Sequence, residues 1–213
     1  GVLLVSLASA AWWRFDTISL PEVNLPGVMV ENKPINLDSF SLVDHRGNPF
    51  DNSRLEKYWT IMFFGYTHCP DVCPTTLGVM NNLFKKLKQR PEGVGNTQFV
   101  FVSVDPHRDT LKVMADHMNF VNPKFIGVTA ENNVQIDALG SRLGVIYDFE
   151  DAKTEELIRD VTTRSVTDKY TVNHYASIFL IDPQGRLVAD IRSPHDGSRV
   201  LETYTTIKNA YDR

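Results

Sequence analysis

Two cysteines stand four apart in Phe63-Phe64-Gly65-Tyr66-Thr67-His68-Cys69-Pro70-Asp71-Val72-Cys73-Pro74, and the chain has no others. If this segment is helical, residues at i and i+4 share a face, and both sulfurs can meet one ligand. Pro74 suits the first helical position, where a missing N–H costs nothing. The dipole and free N–H groups of a helix start lower the pKa of a nearby thiol. Thiolate is the form that binds soft metals and attacks disulfides. The spacing therefore points to a two-sulfur arm of a metal site or to a redox dithiol. Two inert buried cysteines are the plain structural alternative.

Two sulfurs seldom complete a metal site, and two cysteines exclude a four-thiolate zinc site. The usual thioredoxin pair has two intervening residues; the three here argue against ordinary thioredoxin activity. A third ligand would come from the six histidines. His68 adjoins Cys69, with its side chain expected to project away from the sulfurs. His107 lies in a charged loop at the end of a strand. His45 falls at a turn and is expected to be exposed. His117, on a helix, and His195, in a loop with Pro and Gly, read as surface residues. His174 sits just before a buried strand, where a loop could reach the thiol end of a sheet. Asp71, between the cysteines, reads as a solvated carboxylate that could tune the thiols or face a partner.

The elements that must position these residues alternate. Trp59 to Phe64 is a short apolar run, read as a buried strand. From Thr75, Leu77, Met80, Leu83, Phe84 and Leu87 recur at helical steps, with Pro91 beyond the end. Thr97 to Val104 is a second buried strand, closed by Asp105-Pro106-His107-Arg108-Asp109-Thr110. Leu111, Met114, Ala115 and Met118 mark a second helix. A strand over 124–129, a helix over 132–143 and a strand over 144–149 follow. Residues 150–170 are polar and read as an insertion with a helical piece. Residues 176–181 and 187–191 flank Asp182-Pro183-Gln184-Gly185-Arg186, a strong hairpin signal. Residues 198–211 form a terminal helix with Ser198 as its cap. Near the start, 40–44 and 48–50 flank His45-Arg46-Gly47 as another hairpin. The order predicts an α/β fold: a mixed sheet flanked by helices, with an N-terminal hairpin and an insertion before the last hairpin.

The 213 residues, 42% hydrophobic and 23% charged, allow one sizeable core and a tail. A net charge of -4 argues against a nucleic-acid surface. The single basic cluster, Lys85 to Arg90, complements the end of a helix. No charge occurs before Arg14. That stretch is shorter than the roughly 20 residues of a membrane span, and Trp12-Trp13 fits an interfacial aromatic belt. Residues 1–15 thus read as the remnant of a membrane anchor. The end of a signal peptide, from Ala8-Ser9-Ala10, and an apolar segment packed on the core are the alternatives. Residues 16–38, with Pro21, Pro26 and Pro34, read as a linker, and 39–213 as the domain.

Three segments together resemble the Sco/SenC family: Gly65 to Pro74, Val104 to Thr110, and Val172-Asn173-His174 with Leu180 to Gly185. The resemblance runs from about Phe40 to the C-terminus. It implies a thioredoxin-like, copper-binding domain, membrane-anchored and facing the periplasm or the mitochondrial intermembrane space. It implies Cys69, Cys73 and His174 as ligands for Cu(I) and Cu(II). It further implies a role in assembling the copper A centre of cytochrome c oxidase subunit II, with a copper donor protein and a thiol reductant as partners. The family pattern differs at Asn173, commonly Asp, at Tyr175, commonly Ser, and at Leu111, frequently Pro. The other expectation is a thiol–disulfide oxidoreductase in which Cys69 and Cys73 are the redox dithiol.

Overall fold

A computed structural model describes residues 20–163 and 169–211. In chain order the elements are β1 (Val28–Asn36), β2 (Ser41–Asp44), β3 (Pro49–Asp51), β4 (Trp59–Gly65), α1 (Val72–Lys88), β5 (Thr97–Ser103), α2 (Leu111–Val121), β6 (Ile126–Thr129), α3 (Asn133–Gly140), β7 (Tyr147–Asp151), β8 (Tyr170–His174), β9 (Ser177–Ile181), β10 (Arg186–Arg192) and α4 (Gly197–Tyr211). Eight strands form one mixed sheet in the order β1-β10-β9-β4-β5-β6-β2-β3.

Strand β4 is buried along its whole length. It lies parallel to β5 and antiparallel to β9. A strand covered on both faces needs an unbroken apolar run, and Trp59 to Phe64 provides it. Helix α1 buries Leu77, Met80, Leu83 and Leu87 at three- and four-residue steps, while Lys85, Lys86 and Lys88 meet the negative end of its dipole. α1 packs against both α4 and α2. Both predicted hairpins are present, as β2–β3 and β9–β10.

Four expectations need correction. First, β1 lies inside the segment 16–38 read as a linker. It pairs antiparallel with β10, Val28 opposite Ile191, and its register shifts between Val30 and Ile35. Pro34 falls within that break, on an edge strand where a missing N–H is tolerated; the break hides the alternation. Second, the insertion is framed by strands. β7 and β8 pair with each other as a separate two-stranded sheet, and the helical piece is one 3-10 turn, Val161–Thr163. Third, α1 begins at Val72, so Pro74 is its third residue rather than its first. Its lost N–H is still one of the four that have no partner within a helix. Fourth, Asp196 rather than Ser198 caps α4: its carboxylate accepts the N–H groups of Ser198 and Arg199 at 3.0 and 2.9 Å. The segment 1–15, read as an anchor remnant, lies outside the described residues. Among the described residues no helix is long and apolar enough to cross a membrane.

Candidate metal centre

The cysteine loop leaves the buried end of β4 and enters α1. Cys69 precedes the helix, so the two cysteines do not share a helical face; the turn brings them together. The N–H of Cys69 donates to the Tyr66 carbonyl at 3.2 Å. The Sγ of Cys69 then accepts the N–H of Cys73 at 3.5 Å. Asp71 occupies the N-cap position, but its side chain makes no capping bond. A sulfur therefore takes one of the free N–H groups of the helix start. Asp71 itself is exposed, as expected.

Beneath this loop is a buried carboxylate. Asp109 accepts the backbone N–H of Thr67 at 2.9 Å, the Thr67 hydroxyl at 2.6 Å and the Ser103 hydroxyl at 2.6 Å. Gly65 makes room for the second sulfur. A Cβ there would meet Cys73 Sγ at 2.7 Å and the Phe101 ring at 2.8 Å.

His174 arrives from β8. Tyr170, Val172 and His174 lie on its less exposed face, while Thr171 and Asn173 are exposed, the period of two that a strand imposes. The ring of His174 packs edge-on to Phe63 and Tyr66, at centroid distances of 6.0 and 6.1 Å. Its Nε2 lies 3.4 Å from Cys73 Sγ. The three ligand atoms of Cys69, Cys73 and His174 are all within 4.8 Å of one another. A single metal bonded at ~2.3 Å to sulfur and ~2.0 Å to nitrogen holds its donors at such separations. Two soft sulfurs with an imidazole nitrogen are a donor set suited to copper or zinc. A shallow depression lined by Ile146, Tyr147, Asp148, Asn173, His174 and Tyr175 opens beside the imidazole.

The two thiols are unequal. The Cys73 thiol donates to the Cys69 sulfur, which lowers the Cys69 pKa to about 4 against the opposing effect of burial; His174 and the Asp71 and Cys73 backbone lower it further. The same hydrogen bond and burial push Cys73 far above the ordinary thiol range. Of the two thiols, Cys69, the more accessible, is therefore the more acidic.

The other histidines do not join this group. His68 is exposed and turned toward Thr67 Oγ1, 3.1 Å away, as its position beside Cys69 suggested. His45, expected to be exposed, is buried, with its Nδ1 accepting the Gly127 N–H at 3.0 Å. His117 and His195, read as surface residues, are half-buried. His117 packs on Phe101, 5.6 Å between centroids, and His195 hydrogen-bonds Thr76 Oγ1 at 2.9 Å and the Ile191 carbonyl at 3.0 Å. Gly65 and Asp109 are site-shaping residues that sequence reasoning missed. Both stand in quoted motifs, but their roles depend on atoms remote in sequence.

A mixed α/β sheet with a cysteine pair at the junction of a central strand and a helix defines a thioredoxin-like protein, here with a histidine added to the pair. The chain matches SCO1/SenC over residues 30–209 and belongs to that family. A mouse relative, "Protein SCO2 homolog, mitochondrial", is 33% identical over 146 residues, 68% of this chain and 52% of that protein. The chain spans about half the length of the mammalian relatives it matches. Among solved structures, Arabidopsis thaliana ScoI with copper bound is 27% identical, with a TM-score of 0.67 over 80% of this chain and 97% of that one. Bradyrhizobium japonicum ScoI with copper bound is 26% identical, with a TM-score of 0.64 over 82% and 99%.

Proposed function

We propose that this protein is a copper metallochaperone: it binds copper through Cys69, Cys73 and His174 and delivers it to the copper A centre of cytochrome c oxidase subunit II. The observation that carries the reading is the convergence of two sulfurs and one imidazole nitrogen within 4.8 Å. Thiolates favour Cu(I), and the nitrogen accommodates Cu(II). Two copper-bound family structures support the choice of metal. A three-ligand site with Cys69 and His174 only half-buried leaves a side from which a recipient's ligands can take the ion. Copper is cargo here, loaded by a donor protein. Loading requires both cysteines reduced, so a thiol reductant belongs to the cycle. Residues 1–15 would anchor the domain at a membrane, facing the periplasm or, for a mitochondrial form, the intermembrane space.

The test is copper stoichiometry on reduced and oxidised protein. Reduced protein is expected to bind one copper and oxidised protein none. His174→Ala should lose nitrogen coupling from the Cu(II) spectrum. An unchanged spectrum in that variant would overturn the ligand assignment.

The inequality of the thiols favours a second reading, a thiol–disulfide oxidoreductase acting on the recipient's cysteines. Cys69 would attack a disulfide of the recipient and release one of its sulfurs as thiolate; Cys73 would then displace the other, leaving the recipient reduced and a Cys69–Cys73 disulfide for the thiol reductant to reopen. Steady insulin reduction by the copper-free protein is its expected signature.

A further inference from the structure

We infer that Arg108, with Asp105 and Tyr170, is the brace that places the His174 imidazole over the cysteine pair. The inference rests on the reading of His174 as a copper ligand.

A metal-binding histidine ordinarily donates its second ring N–H to a carboxylate or carbonyl, which fixes the ring. His174 Nδ1 is buried and has no hydrogen-bond partner among the described residues. Among the described residues, the strand that carries it pairs only with β7 and has no rung in the eight-stranded sheet. The position of the imidazole is therefore set at two places: the short run from His174 into β9 at one end of β8, and the contacts at its foot.

At the foot of β8 that fixation is specific. The Tyr170 hydroxyl donates to Asp105 Oδ1 at 2.8 Å. Arg108 Nη1 donates to the Tyr170 carbonyl at 3.0 Å, and Arg108 Nε pairs with the second Asp105 oxygen. The guanidinium lies over the Tyr170 ring, 3.5 Å from its centroid, and 5.6 Å from that of Tyr66. Tyr66 is itself a ring against which His174 packs. All of Asp105, Arg108 and Tyr170 are buried. One guanidinium nitrogen, Arg108 Nη2, stays buried without a hydrogen-bond partner among the described residues. A buried ion pair of this kind is a weak source of stability. Its planar geometry instead fixes one place for the backbone and ring of Tyr170. Four residues further, about 13 Å along the strand, the same inward face presents His174.

Asp105 and Arg108 belong to the turn that also supplies Asp109 to the cysteine loop. One turn at the end of β5 thus grips the approach to both halves of the site, and its Arg108 arm serves the histidine half.

The experiment measures Cu(II) and Cu(I) affinities by chelator competition, and Cu(II) nitrogen coupling by electron paramagnetic resonance. The variants are Arg108→Lys, Tyr170→Phe, His174→Ala and Arg108→Lys/His174→Ala. Lysine keeps the charge but has a single nitrogen in place of the planar fork whose Nε and Nη1 reach carboxylate and carbonyl separately. Phenylalanine keeps the ring under the guanidinium and deletes only the bond to Asp105. Arg108→Lys is expected to weaken Cu(II) binding by on the order of 10-fold and to reduce nitrogen coupling. Cu(I), held by the two thiolates, is expected to stay near wild type. Tyr170→Phe should move Cu(II) in the same direction by less. In the His174→Ala background the Arg108→Lys effect should vanish, because a brace acting through His174 has nothing left to place. If Arg108→Lys does not fold, Tyr170→Phe decides. Wild-type Cu(II) binding in the folded brace variants, with binding weakened and nitrogen coupling lost in His174→Ala, overturns the brace and leaves the ligand set standing. An Arg108→Lys loss that persists undiminished without His174 also overturns it. Wild-type Cu(II) binding in His174→Ala overturns both readings.

Discussion

A Cβ placed on Gly65 would lie 2.7 Å from the sulfur of Cys73. The glycine ends β4 and is itself buried, so the added methyl has no exit toward solvent. Phe101, 2.8 Å away on the neighbouring strand, closes the other side. Gly65→Ala must therefore displace the sulfur or the sheet. Overpacking of this kind costs about 1–3 kcal/mol. We expect a lower urea midpoint together with copper affinity reduced by about 10-fold or more. Wild-type copper binding in a folded Gly65→Ala protein would show that Cys73 does not need this position to hold metal.

Asp109 predicts a different pattern. Its carboxylate collects three donors, from Thr67 and Ser103. In Asp109→Ala those donors lose their acceptor in a buried place. An unsatisfied buried donor costs about 1–3 kcal/mol, so the variant should lose at least that much in chemical denaturation. The cysteine loop should loosen as well, weakening Cu(I) and Cu(II) alike because both use the sulfurs. A loss confined to Cu(II) would contradict the assignment of Asp109 to the cysteine side.

The inequality of the two thiols predicts unequal alkylation in the reduced, metal-free protein. With its pKa lowered to about 4 by the Cys73 hydrogen bond, Cys69 is already thiolate at pH 6. Its rate with iodoacetamide should stay nearly flat from about pH 6 to 8, whereas an ordinary thiol of pKa near 8.5 accelerates steeply over that range. Cys73, buried and shifted upward, should react later. Peptide mapping after limited alkylation separates the two; equal labelling, or a steep rise at Cys69, would contradict the arrangement.

These features differ in how far the sequence discloses them. Strand β4 and helix α1 were legible because their apolar periods, continuous and helical, are local properties of the chain. The cysteine pair was legible as chemistry, yet its spacing alone left metal and redox uses open. His174 joined the set through resemblance to a family, not through spacing. Strand β8 was missed although Tyr170, Val172 and His174 alternate correctly with Thr171 and Asn173; five residues beside a long polar segment give little signal. The register shift around Pro34 concealed β1 in the same way. Burial of His45 could not be read at all, because it depends on Gly127, 82 residues away. Arg108 stood in a recognisable motif, but its function depends on Tyr170, which reaches it only through folding.

Three buried or half-buried histidines outside the metal centre make the fold lose stability on mild acidification. Burial is the first cause that holds His45, His117 and His195 below the ordinary imidazole range, with nearby arginines adding to it for His45 and His195. Each is neutral in the folded protein at neutral pH, while in the unfolded chain each takes up a proton near pH 6.5. Below that pH the unfolded state binds more protons than the folded state. Stability is therefore complete above about pH 6.5 and falls as the pH drops toward the lowered folded values. Urea unfolding at about pH 7.5, 6.5 and 5.5 should show this decline. His117 offers the sharper check, since its Nε2 has no hydrogen-bond partner among the described residues. His117→Leu removes a titrating group without breaking a bond from that nitrogen. It is expected to keep near wild-type stability at pH 7.5 and to lose less than the wild type at pH 5.5. An acid slope as steep as that of the parent would mean that the His117 imidazole is not kept neutral by its burial.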